Sequence, residues 1–92
     1  MTVILAMIIN RNVYSALTTQ FNDNVEAMAR ARIANGDKII LVDMEDGAGI
    51  DYRLTTDGGD MWNNLHPWES GYTKMAAVWK AALAQFLPVC SP

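Results

Sequence analysis

Two short runs of consecutive apolar residues dominate the hydrophobic pattern, one at residues 3–9 and one inside the segment 38–43, between Lys38 and Asp43. Each run is rich in branched side chains and is followed by or ends in polar residues, which predicts two parallel strands buried on both faces. Between them, apolar residues at helical spacing predict a helix that Thr18 or Thr19 caps and Asn35-Gly36 ends. Its apolar positions are Phe21, Val25, Met28, Ala29 and Ile33.

The second half of the chain predicts a long loop followed by one helix. Residues 44–65 carry turn signals without clear periodicity, and they leave room only for a short helical turn. The last helix begins after Pro67, with Glu69 or Ser70 in its first turn, and Pro88 ends it. Its predicted apolar face consists of Tyr72, Met75, Ala76, Trp79, Ala82, Leu83 and Phe86.

Strand, helix and strand in this order are typical of a βαβ crossover, which is right-handed in nearly all proteins. The chain therefore reads as one layered α/β unit. Two parallel strands that are apolar on both faces need helices above and below them and further strands at their edges. A two-stranded sheet is marginal in water. We expect the chain either to belong to a larger fold or to complete its sheet with another copy.

Length and charge exclude some classes of function. The 92 residues suffice for one small domain, with a net charge of −3. The seven Lys and Arg residues are scattered and form no basic stripe for phosphates, so we do not expect a nucleic-acid partner. The apolar start lacks a basic segment and a cleavage site and is too short to span a bilayer. We therefore expect no membrane segment, and Cys90 gives no indication of compartment.

The only histidine, His66, stands in a polar turn just before the last helix. Histidine titrates near neutral pH, and a loop held by a rigid scaffold is a suitable place for a general base. A histidine at a helix start can instead bond a backbone carbonyl. The flanking Trp62 and Trp68 could stack on a sugar or line an acyl pocket, or else cover the last helix or form a subunit contact.

Acidic residues follow the second strand at Asp43, Glu45, Asp46 and Asp51. Several carboxylates on a flexible loop suit calcium, but the spacing is not that of an EF-hand loop. A solvated acidic turn is therefore the favoured interpretation, and no metal is predicted.

Leu65-His66-Pro67, Gly71-Tyr72 and Met75-Ala76, with Phe21-Asn22-Asp23-Asn24-Val25 in the first helix, form a pattern across nearly the whole chain. In this βαβ context they resemble the C-terminal half of the SGNH hydrolase superfamily, the GDSL-type esterases and lipases, and especially its carbohydrate acetylesterase-like members. The resemblance implies a partial three-layer αβα flavodoxin-like unit, with residues 1–92 as a single partial domain. It implies ester hydrolysis on acetylated carbohydrate or a small acyl ester, without a cofactor.

The resemblance also implies catalytic roles. His66 would activate a serine and then protonate the leaving alcohol, and an aspartate three residues earlier would orient it. Asn63 stands at that position, and Asp60 is the carboxylate that could replace it. In the serine-protease template, an Asp to Asn change lowers turnover roughly 10⁴-fold.

The resemblance leaves the nucleophile unassigned. The sequence has no GDS motif and no oxyanion-hole blocks, and Ser15, Ser70 and Ser91 lack the setting of an activated serine. We expect no esterase activity from this chain alone, with a missing N-terminal hydrolase segment supplying the serine. The alternative is a truncated descendant without catalysis that acts as a self-associating structural or binding module.

Overall fold

The computed structural model describes residues 1–85, so the predictions for Phe86, Pro88, Cys90 and Ser91 lie outside the described residues. The elements in chain order are β1 (Val3–Met7), α1 (Ala16–Ala34), β2 (Ile39–Asp43), a 3₁₀ turn (Thr55–Asp57) and α2 (Glu69–Ala84). β1 and β2 pair in parallel, with Val3 opposite Ile39 and Met7 opposite Asp43. The predicted α/β architecture with parallel strands is confirmed.

The N-cap predicted for α1 at Thr18 or Thr19 is wrong, because Ser15 occupies that position. The Ser15 hydroxyl accepts a hydrogen bond from the Thr18 N–H at 3.3 Å. Asn10 holds the cap in place, since its side chain bonds both the N–H and the C=O of Ser15. Thr19 instead donates its hydroxyl proton to Glu45. Tertiary contacts, rather than local preference, therefore decide where α1 begins.

The C-terminal end of α1 follows the prediction. The Asn35 N–H donates to carbonyl oxygens of the last turn, and the Gly36 N–H donates to the Ile33 carbonyl. Gly36 has φ +97°, a left-handed conformation that glycine adopts without steric cost. The Asn35-Gly36 stop signal is thereby confirmed.

The two helices cover opposite faces of the sheet. In the parallel register the even-numbered strand residues share one face, where Ile4 and Val42 pack with Ala82 of α2. On the other face, Val3 and Leu5 line a cavity of about 360 Å³ together with Met28 and Arg32 of α1. Residues 1–85 thus contain the three layers α1, sheet and α2.

Many apolar side chains of the sheet and of α1 are incompletely buried. Ile4, Leu5 and Leu41 lie in the middle of the strands, yet each is only half-buried. Phe21 and Met28, predicted on the apolar face of α1, are 52% and 45% exposed. The Cα radius of gyration is 15.0 Å, compared with about 12 Å for a compact domain of this length. The sheet formed by these residues has two open edges.

The long connection between β2 and α2 is an ordered loop that includes the 3₁₀ turn. Met44 and Met61 are almost fully buried along it. The Met61 N–H donates to the Arg53 carbonyl, and the Thr55 N–H donates to the Met61 carbonyl at 2.8 Å. The turn that contains His66 follows this loop and leads into α2. Neither helix within residues 1–85 has the length and apolarity needed to cross a bilayer.

Candidate functional site

Residues 62–66 form a tight turn that is closed by its own hydrogen bonds. The Trp62 N–H donates to the His66 carbonyl oxygen at 2.8 Å. Oδ1 of Asn63 accepts from the N–H groups of Leu65 at 2.9 Å and His66 at 2.8 Å. An Asn side chain that bonds the backbone two residues ahead is a common turn-forming device. The backbone around His66 is therefore held by Asn63.

The same Asn63 oxygen also contacts the imidazole, with Nδ1 of His66 at 3.0 Å. Two backbone N–H donors already point at this atom, which identifies it as the carboxamide oxygen. Because an amide oxygen only accepts, the neutral imidazole carries its proton on Nδ1 in this contact and has its lone pair on Nε2. Within residues 1–85 no hydrogen bond occupies Nε2, and the side chain is exposed. This arrangement leaves Nε2 available as a base.

Asp60 does not bond His66 within the described residues. Its side chain is buried, and Oδ2 accepts from Nζ of Lys74 at 2.6 Å and from the Asp51 N–H at 2.8 Å. Burial raises the pKa of Asp60, but the hydrogen bonds from Lys74, the Asp51 backbone and Ser70 outweigh it, and the pKa lies below its ordinary value. The structure thus pairs His66 with Asn63 and anchors Asp60 to α2.

Gly71 brings the first turn of α2 close to Asp60. A Cβ at this position would lie 2.8 Å from Cβ of Pro67 and 3.1 Å from the carbonyl oxygen of Asp60. That carbonyl also accepts the Trp68 N–H at 2.7 Å. The glycine of the Gly71-Tyr72 motif therefore has a steric reason, because a larger residue would push the helix start away from the loop that holds His66.

A buried polar cluster around Glu45 was not predicted from the sequence. The Glu45 carboxylate accepts from Oγ1 of Thr19 at 2.6 Å, Nδ2 of Asn10 at 2.7 Å and Nδ2 of Asn22 at 3.1 Å. Burial raises the pKa of Glu45, but these three hydrogen bonds outweigh it, and the pKa is lowered. The signal that could have revealed the cluster is Asn22, a polar residue on the buried face of α1.

Tyr52 and Asn12 connect this cluster to the histidine turn. The Tyr52 hydroxyl donates to the Glu45 carbonyl at 2.6 Å and accepts from the Asn10 N–H at 3.1 Å. Asn12 donates from Nδ2 to the Tyr52 carbonyl and from its backbone N–H to the Asn64 carbonyl, both at 3.0 Å. Asn10 and Asn12 follow β1, so the histidine turn lies beside the carboxyl end of the sheet.

The two tryptophans stack on each other next to His66. The ring centroids of Trp62 and Trp68 are 5.0 Å apart with an interplanar angle of 28°. The residues are 60% and 45% exposed. The stacked pair therefore presents aromatic surface to solvent.

The acidic residues after β2 are separated into different local structures. Asp43 accepts the Asp46 N–H at 3.1 Å, and Arg53 lowers the pKa of Asp51 to about 2 by hydrogen bonding. The pKa of Asp46 is raised, first by partial desolvation and then by nearby carboxylates that include Glu45. Within residues 1–85, no three His, Cys, Asp or Glu side chains are arranged to hold a metal ion.

No serine of the described residues stands beside His66 as a nucleophile. Ser15 caps α1, and Ser70 lies in the first turn of α2 next to Asp60. A cavity of about 520 Å³ lies between β2 and α2, and its lining includes Asp43 and Lys74 but not His66. The site around His66 is therefore an open turn.

Comparison with known proteins gave no match: no protein-family model fits the chain, and no curated protein or solved structure matches it. The functional proposal therefore depends on the geometry of the histidine turn and on the motifs around it.

Proposed function

We propose that this chain is the histidine-bearing segment of an SGNH-type carboxylic-ester hydrolase, corresponding to the C-terminal part of a flavodoxin-like unit. His66 is the general base and acid, and Asn63 orients it. The observation that supports this proposal is the contact of 3.0 Å between Oδ1 of Asn63 and Nδ1 of His66, which leaves Nε2 as a hydrogen-bond acceptor. Histidine orientation through Nδ1 is the arrangement that serine hydrolases use.

The chemistry requires a serine from another hydrolase segment. Nε2 of His66 removes the hydroxyl proton while the serine oxygen attacks the ester carbonyl, and the imidazolium then protonates the leaving alcohol. Water, deprotonated by the same nitrogen, hydrolyses the acyl-serine and releases the acid. Asn63 fixes the ring but brings no negative charge to the imidazolium. We therefore expect slower turnover than with a carboxylate at this position.

Acetylated carbohydrate is the substrate class that the surroundings favour. The exposed rings of Trp62 and Trp68 stand on either side of His66 in sequence and form one stacked pair. Aromatic rings present flat apolar surface against which the C–H face of a sugar can pack. A small acyl ester, which has no sugar ring, would make less contact with the two tryptophans than an acetylated carbohydrate.

Complementation tests the proposal. The purified chain alone should not hydrolyse p-nitrophenyl acetate or react with a fluorophosphonate probe. Mixed with a serine-bearing N-terminal segment of an SGNH hydrolase, it should produce hydrolysis that His66→Ala abolishes and Lys80→Ala preserves. Hydrolysis that survives His66→Ala would contradict the assigned role. Asn63→Asp should raise the rate of the complemented enzyme.

A second candidate function is a non-catalytic module that self-associates. It is favoured by large apolar side chains that remain exposed beside β1, including Val3, Ile8 and Phe21. Exposed apolar surface that is continuous over several elements marks association sites. A chain that forms a defined oligomer and gains no activity with any serine-bearing segment would fit this function.

A further inference from the structure

One edge of the sheet lies along β1. The Val3 N–H donates to the Lys38 carbonyl, and the Met7 carbonyl accepts the Met44 N–H, so the odd-numbered residues of β1 bond toward β2. Backbone groups alternate in direction along a strand. The N–H and C=O groups of Ile4 and Ala6 therefore point toward the open edge.

Asn22 already occupies the next position along that edge. Its Oδ1 accepts the Ile8 N–H at 2.8 Å, and its Nδ2 donates to the Ile8 carbonyl at 2.7 Å. A neighbouring strand would make the same two bonds. The free part of the edge that β1 presents is thus confined to Ile4 and Ala6, which lie symmetrically about Leu5.

Apolar side chains border this edge on both faces of the sheet. On the α1 face, Leu17, Phe21 and Met28 are exposed at helical spacing, and Met28 lines a cavity with Val3 and Leu5. On the α2 face, Ile8 and Trp79 line a cavity of about 260 Å³ whose lining is almost wholly apolar. We call these apolar side chains along the edge the β1 edge surface; its members are Val3, Ile8, Leu17, Phe21, Met28 and Trp79.

We propose that the β1 edge surface binds a second copy of this chain. A two-fold axis perpendicular to the sheet at Leu5 makes the two β1 strands antiparallel. Ile4 of each copy then exchanges both backbone hydrogen bonds with Ala6 of the other. The resulting sheet has four strands, with the two α1 helices on one face and the two α2 helices on the other. An isologous contact of this kind closes at two subunits.

The exposed surface area of the chain is consistent with a dimer. The chain exposes 6284 Å², compared with about 5300 Å² for a compact protein of this mass. The excess of about 1000 Å² is similar to the roughly 800 Å² that each partner contributes to a stable interface. The excess is therefore of the same size as one side of an ordinary dimer interface.

The inference rests on the second proposed function, since it names the partner in self-association, and it is independent of the hydrolase chemistry. Light scattering after size-exclusion chromatography should give twice the mass of the chain. Phe21→Glu should weaken dimerisation about 10-fold or more, because a charge enters the β1 edge surface. Ala27→Glu adds the same charge on the exposed side of α1 and should leave the dimer intact. If Phe21→Glu loses its helical circular dichroism, Leu17→Glu takes its place.

Cysteine cross-linking tests the geometry separately from the mass. The two Leu5 residues would face each other as a non-hydrogen-bonded pair with Cα atoms about 4.5 Å apart, which a disulfide can bridge. In a Cys90→Ser background, Leu5→Cys should give a covalent dimer on oxidation, whereas Leu41→Cys at the other edge should not. A monomeric wild-type chain overturns both self-association and the inference. Cross-linking only through Leu41→Cys, or a dimer insensitive to the glutamate at position 21, overturns the inference alone.

Discussion

Asn63 holds both the backbone and the ring of His66 through one atom. Its carboxamide oxygen lies 2.8 Å from the backbone nitrogen of His66 and 3.0 Å from Nδ1 of the imidazole. A side chain that fixes the turn thereby also fixes the tautomer of the histidine that the turn presents. A neutral group can perform this orienting task, although it cannot stabilise a positive charge as a carboxylate does.

Replacement of Asn63 should change the tautomer of His66. In ¹⁵N NMR spectra at alkaline pH, the wild-type ring should carry its proton mainly on Nδ1, because Oδ1 of Asn63 accepts there. Asn63→Ala should give a mixture of tautomers and lower the free energy of unfolding by about 1–2 kcal/mol. Asn63→Asp keeps the acceptor and should keep the Nδ1–H form. An unchanged tautomer in Asn63→Ala would show that another group holds the ring.

Removal of the Lys74 ammonium should destabilise the fold. Lys74→Met leaves the buried carboxylate of Asp60 with the Asp51 N–H and Ser70 but without its cation. Because the Lys74 side chain is 41% exposed, solvent screens part of the interaction, and we expect a loss of about 1–2 kcal/mol in urea unfolding. Lys80→Met, which removes the same charge from an exposed position of α2, should change stability by less than about 0.5 kcal/mol. Equal effects of the two substitutions would contradict this role.

The buried Glu45 should make the fold sensitive to acid. Its folded-state pKa is lowered, so its contribution is complete above the ordinary pKa of 4.5 and is lost as pH falls below it. Glu45→Gln should unfold more easily at pH 7, by about 1.5–3 kcal/mol, and its stability should depend less on pH between 5 and 3.

Asp46→Asn is the control for Glu45→Gln, because the pKa of Asp46 is shifted in the opposite direction. The pKa of the exposed Asp46 is raised by partial desolvation and by nearby carboxylates, so its charge costs some stability at neutral pH. Removing that charge should leave the free energy of unfolding at pH 7 unchanged or slightly higher. A loss as large as that of Glu45→Gln would mean that charge in this loop, rather than the Glu45 hydrogen bonds, determines the acid sensitivity.

Gly71→Ala should lower stability although alanine favours helices. Intrinsic preference alone would stabilise an exposed helix by about 1 kcal/mol. Here the added Cβ would meet Pro67 and the Asp60 carbonyl, and overpacking of this kind costs about 1–3 kcal/mol. The sign of the change in thermal midpoint decides between the two effects. A higher midpoint would show that the helix start relaxes away from Asp60 at little cost.

The sequence predicted the elements whose signal is local. Consecutive branched residues identify β1 and β2, and Asn35-Gly36 ends α1 where expected. The N-cap Ser15 could not be distinguished from Thr18 and Thr19, because its advantage comes from Asn10. Local pattern also could not show that Glu45 is buried, since its partners come from the β1 loop and from α1.

The geometry of the candidate site was also predictable only in part. The motif placed His66 and Asn63 together, and the structure shows the contact. The engagement of Asp60 with Lys74 depends on how α2 packs against the preceding loop, which no spacing in the sequence specifies. Apolar periodicity predicted that Phe21 and Met28 lie on one apolar face of α1. Periodicity cannot distinguish a face that is buried within the chain from one that is exposed and could contact a partner.

The two hydrogen bonds from Asn22 to Ile8 have a consequence for solubility. An open strand edge is a template on which further strands can add, and continued addition leads to fibrils. Because a side chain fills the end of this edge, an incoming strand finds backbone partners only at Ile4 and Ala6 before it meets a blocked position. Asn22 thus limits the length of strand that can pair with β1. It allows a short, specific contact and opposes the repeated addition of strands.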